Sequence, residues 1–140
     1  EMLKKVRNWG EEYGATTGRP RRCGWFDAVL TRQAVRVNGL DSIAVTKLDV
    51  LDNLKEIKVC VAYKCRGKWL TALPSHVETL NQCRPVYKVV KGWYSSTTNI
   101  TKFKRLPVRA QQYLRYLEKL VEAPIEIVSV GSGRTQTIVL

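Results

Sequence analysis

Between Gly14 and Arg22 the chain reads Gly-Ala-Thr-Thr-Gly-Arg-Pro-Arg-Arg, and what those residue types do together is capture anions. Arginine donates two parallel hydrogen bonds to a carboxylate or a phosphate. The Thr16 and Thr17 hydroxyls and the loop N–H groups can satisfy the remaining lone pairs, and glycine lets the backbone come close. A basic surface turn has the same composition, so the loop alone leaves both readings open. A second group, Thr46-Lys47-Leu48-Asp49, is shaped to read a base: a lysine stem lies against the purine while a carboxylate accepts from guanine N1–H and the 2-amino group. Adenine offers neither donor, and an aspartate desolvated without partners costs about 1–3 kcal/mol or more, so such a site rejects adenine by penalty. The plainer alternative is a strand end with a solvated lysine and aspartate. Ser129-Val130-Gly131 is a third candidate, where N–H groups on a tight turn can meet the other polar edge of a base; an ordinary hairpin connection reads the same way.

The four cysteines, Cys23, Cys60, Cys65 and Cys83, are too few and too irregularly spaced for a disulfide scaffold, and free thiols in a reducing compartment are expected. Cys60, Cys65, His76 and Cys83 hold the donor types of a Cys3His zinc site, but the second pair lacks the close spacing of zinc modules. No metal ligands are assigned, and His76 is expected on the surface or in a loop.

These groups need elements to hold them. Asp27 to Asn38 reads as a helix: Asp27 can cap it, Leu30, Ala34 and Val37 make an apolar face, and Gly39 stops it. Ile43-Ala44-Val45 reads as a short buried strand that delivers Thr46 to Asp49 at its C-terminal end, where open α/β sheets place ligands. Ile57, Val59, Val61 and Tyr63 alternate with polar or small residues, and Arg66-Gly67 offers a turn into Trp69-Leu70-Thr71, which predicts a hairpin. Pro85 to Val90 adds a strand, and Ser95 to Thr98 a surface loop. Pro107 suits a first helical turn, and Ala110, Leu114, Leu117 and Val121 recur at helical spacing until Pro124. Ile125, Ile127 and Val128 form a strand running into Ser129 to Gly133, and Thr137 to Leu140 forms another.

Composition bounds the rest. The chain has 140 residues, 44% of them hydrophobic, enough for one domain with a real core. No apolar run approaches the roughly 20 residues that cross a bilayer, and Glu1-Met2-Leu3-Lys4-Lys5 lacks the apolar core of a secretory signal, so a soluble protein is expected. A net charge of +12 draws anions without choosing among nucleotides, nucleic acid and acidic lipid. Because the basic residues are spread along the chain, a solvated basic surface explains them equally well. The competing functional class is a nucleic-acid-binding module in which Trp25, Trp69, Tyr87 and Trp93 stack on bases. No RNA-binding motif supports it, and nucleic acid is not the expected partner.

The anion loop, the Lys-Leu-Asp element and the Ser-Val-Gly turn, in this order and separation, resemble the adenylosuccinate synthetases. The resemblance runs from about Gly10 to Leu140 and takes in Glu12 to Asp27, Leu48-Asp49-Val50-Leu51, Lys58 to Tyr63, Pro85-Val86-Tyr87, Lys91-Gly92-Trp93, Leu106-Pro107 and Gln136-Thr137-Ile138. It implies an α/β fold, the C-terminal part of a P-loop NTPase-like mixed sheet with flanking helices and β-hairpins. It implies a ligase for AMP synthesis: GTP phosphorylates the 6-oxygen of IMP, L-aspartate displaces that phosphate, and Mg2+ assists. By resemblance, Ala15, Thr16, Thr17, Gly18, Arg19, Pro20 and Arg21 bind aspartate and IMP. Arg19 reaches aspartate and the IMP ribose, and Arg21 also touches GTP. Lys47, Leu48 and Asp49, with Ser129, Val130 and Gly131, bind guanine. The family's phosphate loop, catalytic aspartate and catalytic histidine have no counterpart here. Residues 1–140 are therefore expected to be a C-terminal fragment, inactive alone, of a cytoplasmic, homodimeric enzyme whose Mg2+ ligands lie elsewhere and on GTP. Ser132 and Gly133 stand where the family usually carries proline and aspartate.

Overall fold

The structure, a computed structural model, describes residues 1–140. An N-terminal helix, α1 (Met2–Trp9), leads through the anion loop to strand β1 (Phe26–Asp27) and helix α2 (Ala28–Asn38). Strand β2 (Ile43–Val45) ends in a 3-10 turn at Leu48–Leu51, and β3 (Glu56–Cys65), β4 (Lys68–Leu70), α3 (Val77–Asn81) and β5 (Arg84–Lys91) follow. A second 3-10 turn at Phe103–Arg105 precedes α4 (Val108–Val121), and β6 (Ile125–Ser129) and β7 (Thr137–Val139) complete the chain. β3 is central to one sheet, antiparallel to β5 on one side and bordered on the other by β1, parallel, and β4, antiparallel. The other sheet has the order β2-β6-β7, with β2 parallel to β6 and β7 antiparallel to it. The fold is mixed α/β.

Helix α4 supplies the centre of the core. Ala110, Leu114, Leu117 and Val121, the spacing seen in the sequence, are each at most 1% exposed. Ala110, Leu114 and Leu117 pack with Leu48, Ile57, Val59, Ile125, Val128 and Ile138, and Val121 packs with Val35 and Ala123. Each fully buried branched side chain contributes about 1.5–3 kcal/mol of transfer free energy, so this helix joins the two sheets.

Helix α2 has the expected ends, because Asp27 Oδ1 accepts from Leu30 N at 3.0 Å and Gly39 closes it at φ 60°. Its buried face is not the expected one. Leu30 and Val37 are 51% and 71% exposed, whereas Ala28, Val29 and Val35 are buried. The inward stripe has Arg32 in its middle, so a hydrophobic pattern search passes over it. Arg32 reaches the Leu120 carbonyl at 3.0 Å and the Thr71 carbonyl, clamping α2 to α4 and to the segment after β4.

β3 departs from strict alternation for a different reason. A bulge in its pairing with β5 falls between Cys60 and Ala62, and both of its faces are covered. Ile57 and Val59 enter the main core, while Cys60 and Tyr63 pack with Val29. The hairpin after it turns through Arg66 and Gly67 at φ 47° and 80°, the consecutive positive values a two-residue turn needs. β2 is only half-buried, with Ala44 exposed, because it is an edge strand rather than an interior one. The expected surface loop at Ser95–Thr98 is pinned at Thr97, which is 0% exposed. Asp52 lies beneath it and accepts from Thr97 N at 2.6 Å, Thr97 Oγ1 at 2.9 Å and Trp93 Nε1 at 2.7 Å. Such bonds are what permit a carboxylate to be buried.

Candidate functional site

β2 and β6 are parallel neighbours, with Val45 opposite Val128, so their carboxyl ends point the same way and deliver Lys47–Asp49 and Ser129–Gly131 to one corner. The Ser129 hydroxyl accepts from Lys47 N at 2.8 Å and joins the two segments. Lys47 adopts φ 58°, and Leu48, 1% exposed, anchors the turn in the core. Asp49 then stands in the first turn of the 3-10 segment with its Oδ1 atom buried and without a hydrogen-bond partner. Desolvation pushes its carboxyl above the ordinary range. A bond from its own N–H opposes this, the Asp52 charge adds to it, and the Lys47 charge lessens it. Buried polar atoms are nearly always paired, and this open acceptor is an exception to that rule.

The opposite wall is the turn after β6. Val130 is fully buried, and its N–H donates to Gln136 O at 2.9 Å. The Gln136 side chain folds over Gly131 so closely that a Cβ there would stand 2.3 Å from Oε1. That carboxamide also accepts from Gly133 N at 2.8 Å and donates to Asn99 Oδ1 at 3.0 Å. With serine and glycine at 132 and 133, Gln136 holds the turn.

Lys47 extends the corner toward the anion loop. Its ammonium donates to Gly10 O at 2.6 Å, at the C-terminal end of α1 where a cation is favoured, and to Glu12 Oε1 at 2.7 Å. Glu12 Oε2 accepts from Arg21 Nη1 at 3.3 Å. The hydrogen bond from Lys47, aided by the Lys47 and Arg21 charges, holds the Glu12 carboxyl below its usual range against the opposing effect of desolvation. The loop closes on itself through a Tyr13–Pro20 bridge, with Gly14 N on Arg19 O and Gly18 N on Gly14 O, each at 2.8 Å, and Arg21 N on Glu12 O at 3.0 Å. Thr17 Oγ1 accepts from Arg19 N at 3.4 Å and would sit 2.7 Å from a Cβ on Gly14. Ala15, Thr16, Thr17, Gly18, Arg19, Pro20 and Arg21 are all exposed. Glu12 thus links loop and corner. It lies inside the recognised motif, yet sequence reasoning gave it no role; the available signal was a carboxylate just ahead of three arginines.

An apolar cleft of about 290 Å3 lies between α1 and the core, with Val6, Trp25, Phe26, Val45 and Lys47 in its walls, and neither Asp49 nor the Ser129–Gly131 turn lines it.

The adenylosuccinate synthetase sequence profile matches residues 1–138. The chain belongs to the adenylosuccinate synthetase family. It is 55% identical over 131 residues to the adenylosuccinate synthetase of Prochlorococcus marinus strain MIT 9515, covering 94% of this chain and 30% of that protein. Against the Geotalea uraniireducens adenylosuccinate synthetase it is 50% identical over 137 residues, covering 98% and 32%. The fully ligated adenylosuccinate synthetase of Plasmodium falciparum superimposes with a TM-score of 0.93 at 37% identity, over 99% of this chain and 34% of that one. The chain thus spans about a third of the length of these synthetases and corresponds to a C-terminal portion of the family's fold.

The nucleic-acid reading finds no support beside this family match. Trp93 is 7% exposed and its indole N–H is committed to Asp52, and Trp25 packs against the core. Only Trp69 and Tyr87, 64% and 41% exposed, face outward, so no stacking row forms. The four thiols are free, and His76 lies exposed just before α3. No helix is long and apolar enough to cross a membrane.

Proposed function

We propose that residues 1–140 form the guanine-reading and aspartate-binding portion of a GTP-dependent ligase that makes adenylosuccinate from IMP and L-aspartate in the cytoplasm. The observation that carries this reading is the buried, unpartnered Asp49 Oδ1 at the joined ends of β2 and β6. Guanine N1–H and its 2-amino group are the donors that complete it. Lys47 lies against the purine, and the Ser129–Gly131 turn, whose Val130 N–H is held by Gln136 O, meets its other polar edge with the N–H groups that remain. Thr16, Thr17 and Arg19 hold the aspartate carboxylates, with Arg19 also at the IMP ribose, and Arg21 faces the nucleotide. Glu12 presets Lys47 and Arg21, since both cations lie within 3.3 Å of its carboxylate. Phosphoryl transfer of this kind uses Mg2+, which neutralises charge on the GTP phosphates. The ion's protein ligands are expected in the remainder of the homodimeric synthetase.

A chimera decides it: residues 1–140 replace the corresponding portion of a full-length relative. The chimera is expected to form adenylosuccinate from IMP, GTP, aspartate and Mg2+, and the 140-residue chain alone to stay at background, because it carries no match to the family's general acid or base. A folded but inactive chimera, or turnover by the chain alone, contradicts the reading.

In the same chimera, Arg19→Leu exchanges a two-pronged carboxylate contact for an apolar stem. Aspartate binding is expected to weaken by about 2–4 kcal/mol, with the KM for GTP little changed. Equal losses for all three substrates point instead to collapse of the loop.

A further inference from the structure

At the C-terminal end of β3, Cys65 and Cys83 face one another. Lys64 pairs with Arg84 at the last position of the antiparallel β3–β5 ladder, and Cys65 and Cys83 are the residues just beyond it. Opposed Cα atoms of such a ladder lie about 4.5–5.5 Å apart, inside the roughly 4.4–6.8 Å a disulfide spans. Their side chains also converge, since both thiols donate to Thr79 O, with Sγ at 3.7 and 3.3 Å. The other two thiols are engaged elsewhere: Cys60 Sγ bonds to Ala62 O at 3.4 Å, and Cys23 Sγ lies 3.9 Å from Arg21 O in the anion loop.

We infer that Cys65 and Cys83 form a redox modification site, a cross-strand dithiol that a small-molecule disulfide such as oxidised glutathione closes to an intramolecular disulfide. Cys83 is half-buried and Cys65 buried, which sets the order of events. The Cys83 thiolate attacks one sulfur of the glutathione disulfide, forming a mixed disulfide and expelling a first glutathione thiolate. The Cys65 thiolate then attacks the Cys83 sulfur and expels the second. Two protein thiols lose two electrons and two protons, and one glutathione disulfide becomes two glutathiones.

Closure leaves no acceptor stranded, because Thr79 O keeps Gln82 N at 3.1 Å after the two S–H donors are lost. Arg66 Nε donates to Gln82 Oε1 at 2.7 Å and holds the β3–β4 turn against the same segment. Burial, with the Cys65 thiol adding to it, pushes the Cys83 thiol up, so closure speeds up as pH rises through the mildly alkaline range where its thiolate grows. The bridge would tie β4 and α3 to the end of β5, which shields the Arg66–Gln82 segment from proteolysis.

The test is oxidation of the whole 140-residue chain with oxidised glutathione at about pH 8, then alkylation of remaining thiols and non-reducing peptide mapping. The expected product is one linked peptide pair joining Cys65 to Cys83, with Cys23 and Cys60 alkylated and no lasting glutathione adduct. Cys65→Ser is expected to trap glutathione on Cys83, and Cys83→Ser to leave buried Cys65 unmodified under the same conditions. A wild-type chain that accumulates glutathione on Cys83, keeps Cys65 free for alkylation, or links Cys23 to either residue overturns the proposal. Should both serine variants fail to fold, the wild-type map decides alone.

Discussion

Asp49→Asn, in a full-length synthetase carrying this segment, is expected to move base preference from guanine to xanthine. The amide can turn so that its NH2 donates to the xanthine 2-oxygen while its carbonyl accepts from N1–H. Guanine then presents its 2-amino group to a donor. Because Asp49 Oδ1 is buried, water cannot repair the mismatch, and GTP is expected to lose about 2–4 kcal/mol, roughly 30- to 1,000-fold in kcat/KM, while XTP gains. Steady-state kinetics with the two nucleotides measure it, and a variant that keeps its full preference for GTP shows that Asp49 does not read the base.

The same residue gives a pH signature. Burial raises its folded-state carboxyl above 3.8, so guanine recognition, which needs the ionised form, is expected to fail on the acid side before ordinary carboxylates protonate. Linkage fixes the stability sign. A carboxyl raised on folding contributes stability below its unfolded value, and that contribution is lost as pH rises through the folded one. At neutral pH the free chain therefore bears an unfavourable charge, and Asp49→Asn is expected to raise the thermal midpoint slightly while it abolishes guanine selectivity. That exchange of stability for function separates a ligand-reading carboxylate from a structural one.

Gly92→Ala is expected to have the largest effect on folding. A Cβ at Gly92 would stand 1.8 Å from the Leu54 carbonyl oxygen and 2.8 Å from its carbon, and backbone cannot swing aside as a side-chain tip can. Gly92 N also donates to Lys55 O at 2.8 Å, and Gly92 O accepts from Arg109 at 3.1 Å. Moving this segment away breaks both bonds and drags Trp93 from Asp52. A loss of about 3–5 kcal/mol is expected, a large part of the stability of a domain this size. Urea denaturation of the two chains checks it, and a shift under about 1 kcal/mol contradicts the close approach. The contrast is Gly131→Ala, where the obstacle is the Gln136 side chain, which can rotate away at the expense of its bonds to Gly133 N and Asn99.

Where the chain could be read in advance, local chemistry and tertiary demand agreed. The repeat from Ala110 to Val121 became the core of α4 because nothing polar interrupts that stripe, and Arg66-Gly67 turned as its residue types require. Helix α2 shows the opposite: its ends were legible from Asp27 and Gly39, but its inward face passes through Arg32, whose charge is satisfied by carbonyls distant in sequence. Helix α1 was not anticipated, since Leu3 and Val6 are its only partly buried apolar positions amid lysines and arginines. Thr97 looked like any hydroxyl in a polar run until Asp52 lay beneath it. For the candidate site, types and spacing named the loop and the corner, while the register of β2 on β6 joined its halves. The Lys47–Glu12–Arg21 chain could not be foreseen, because it depends on how the loop folds back over the end of α1.

The central claim is that this chain recognises guanine through Lys47, Asp49 and the Ser129–Gly131 turn, rather than anions through its net charge of +12. Amide chemical-shift mapping of the 140-residue chain titrated with GDP, and separately with ADP, tests it most directly. GDP is expected to shift the amides of residues 46–50 and 129–131 with little change in α3, to keep doing so as salt rises, and ADP at equal concentration to leave that corner unmoved. Equal, salt-sensitive shifts from both nucleotides, spread over the lysines of β3 and β5, would contradict the account.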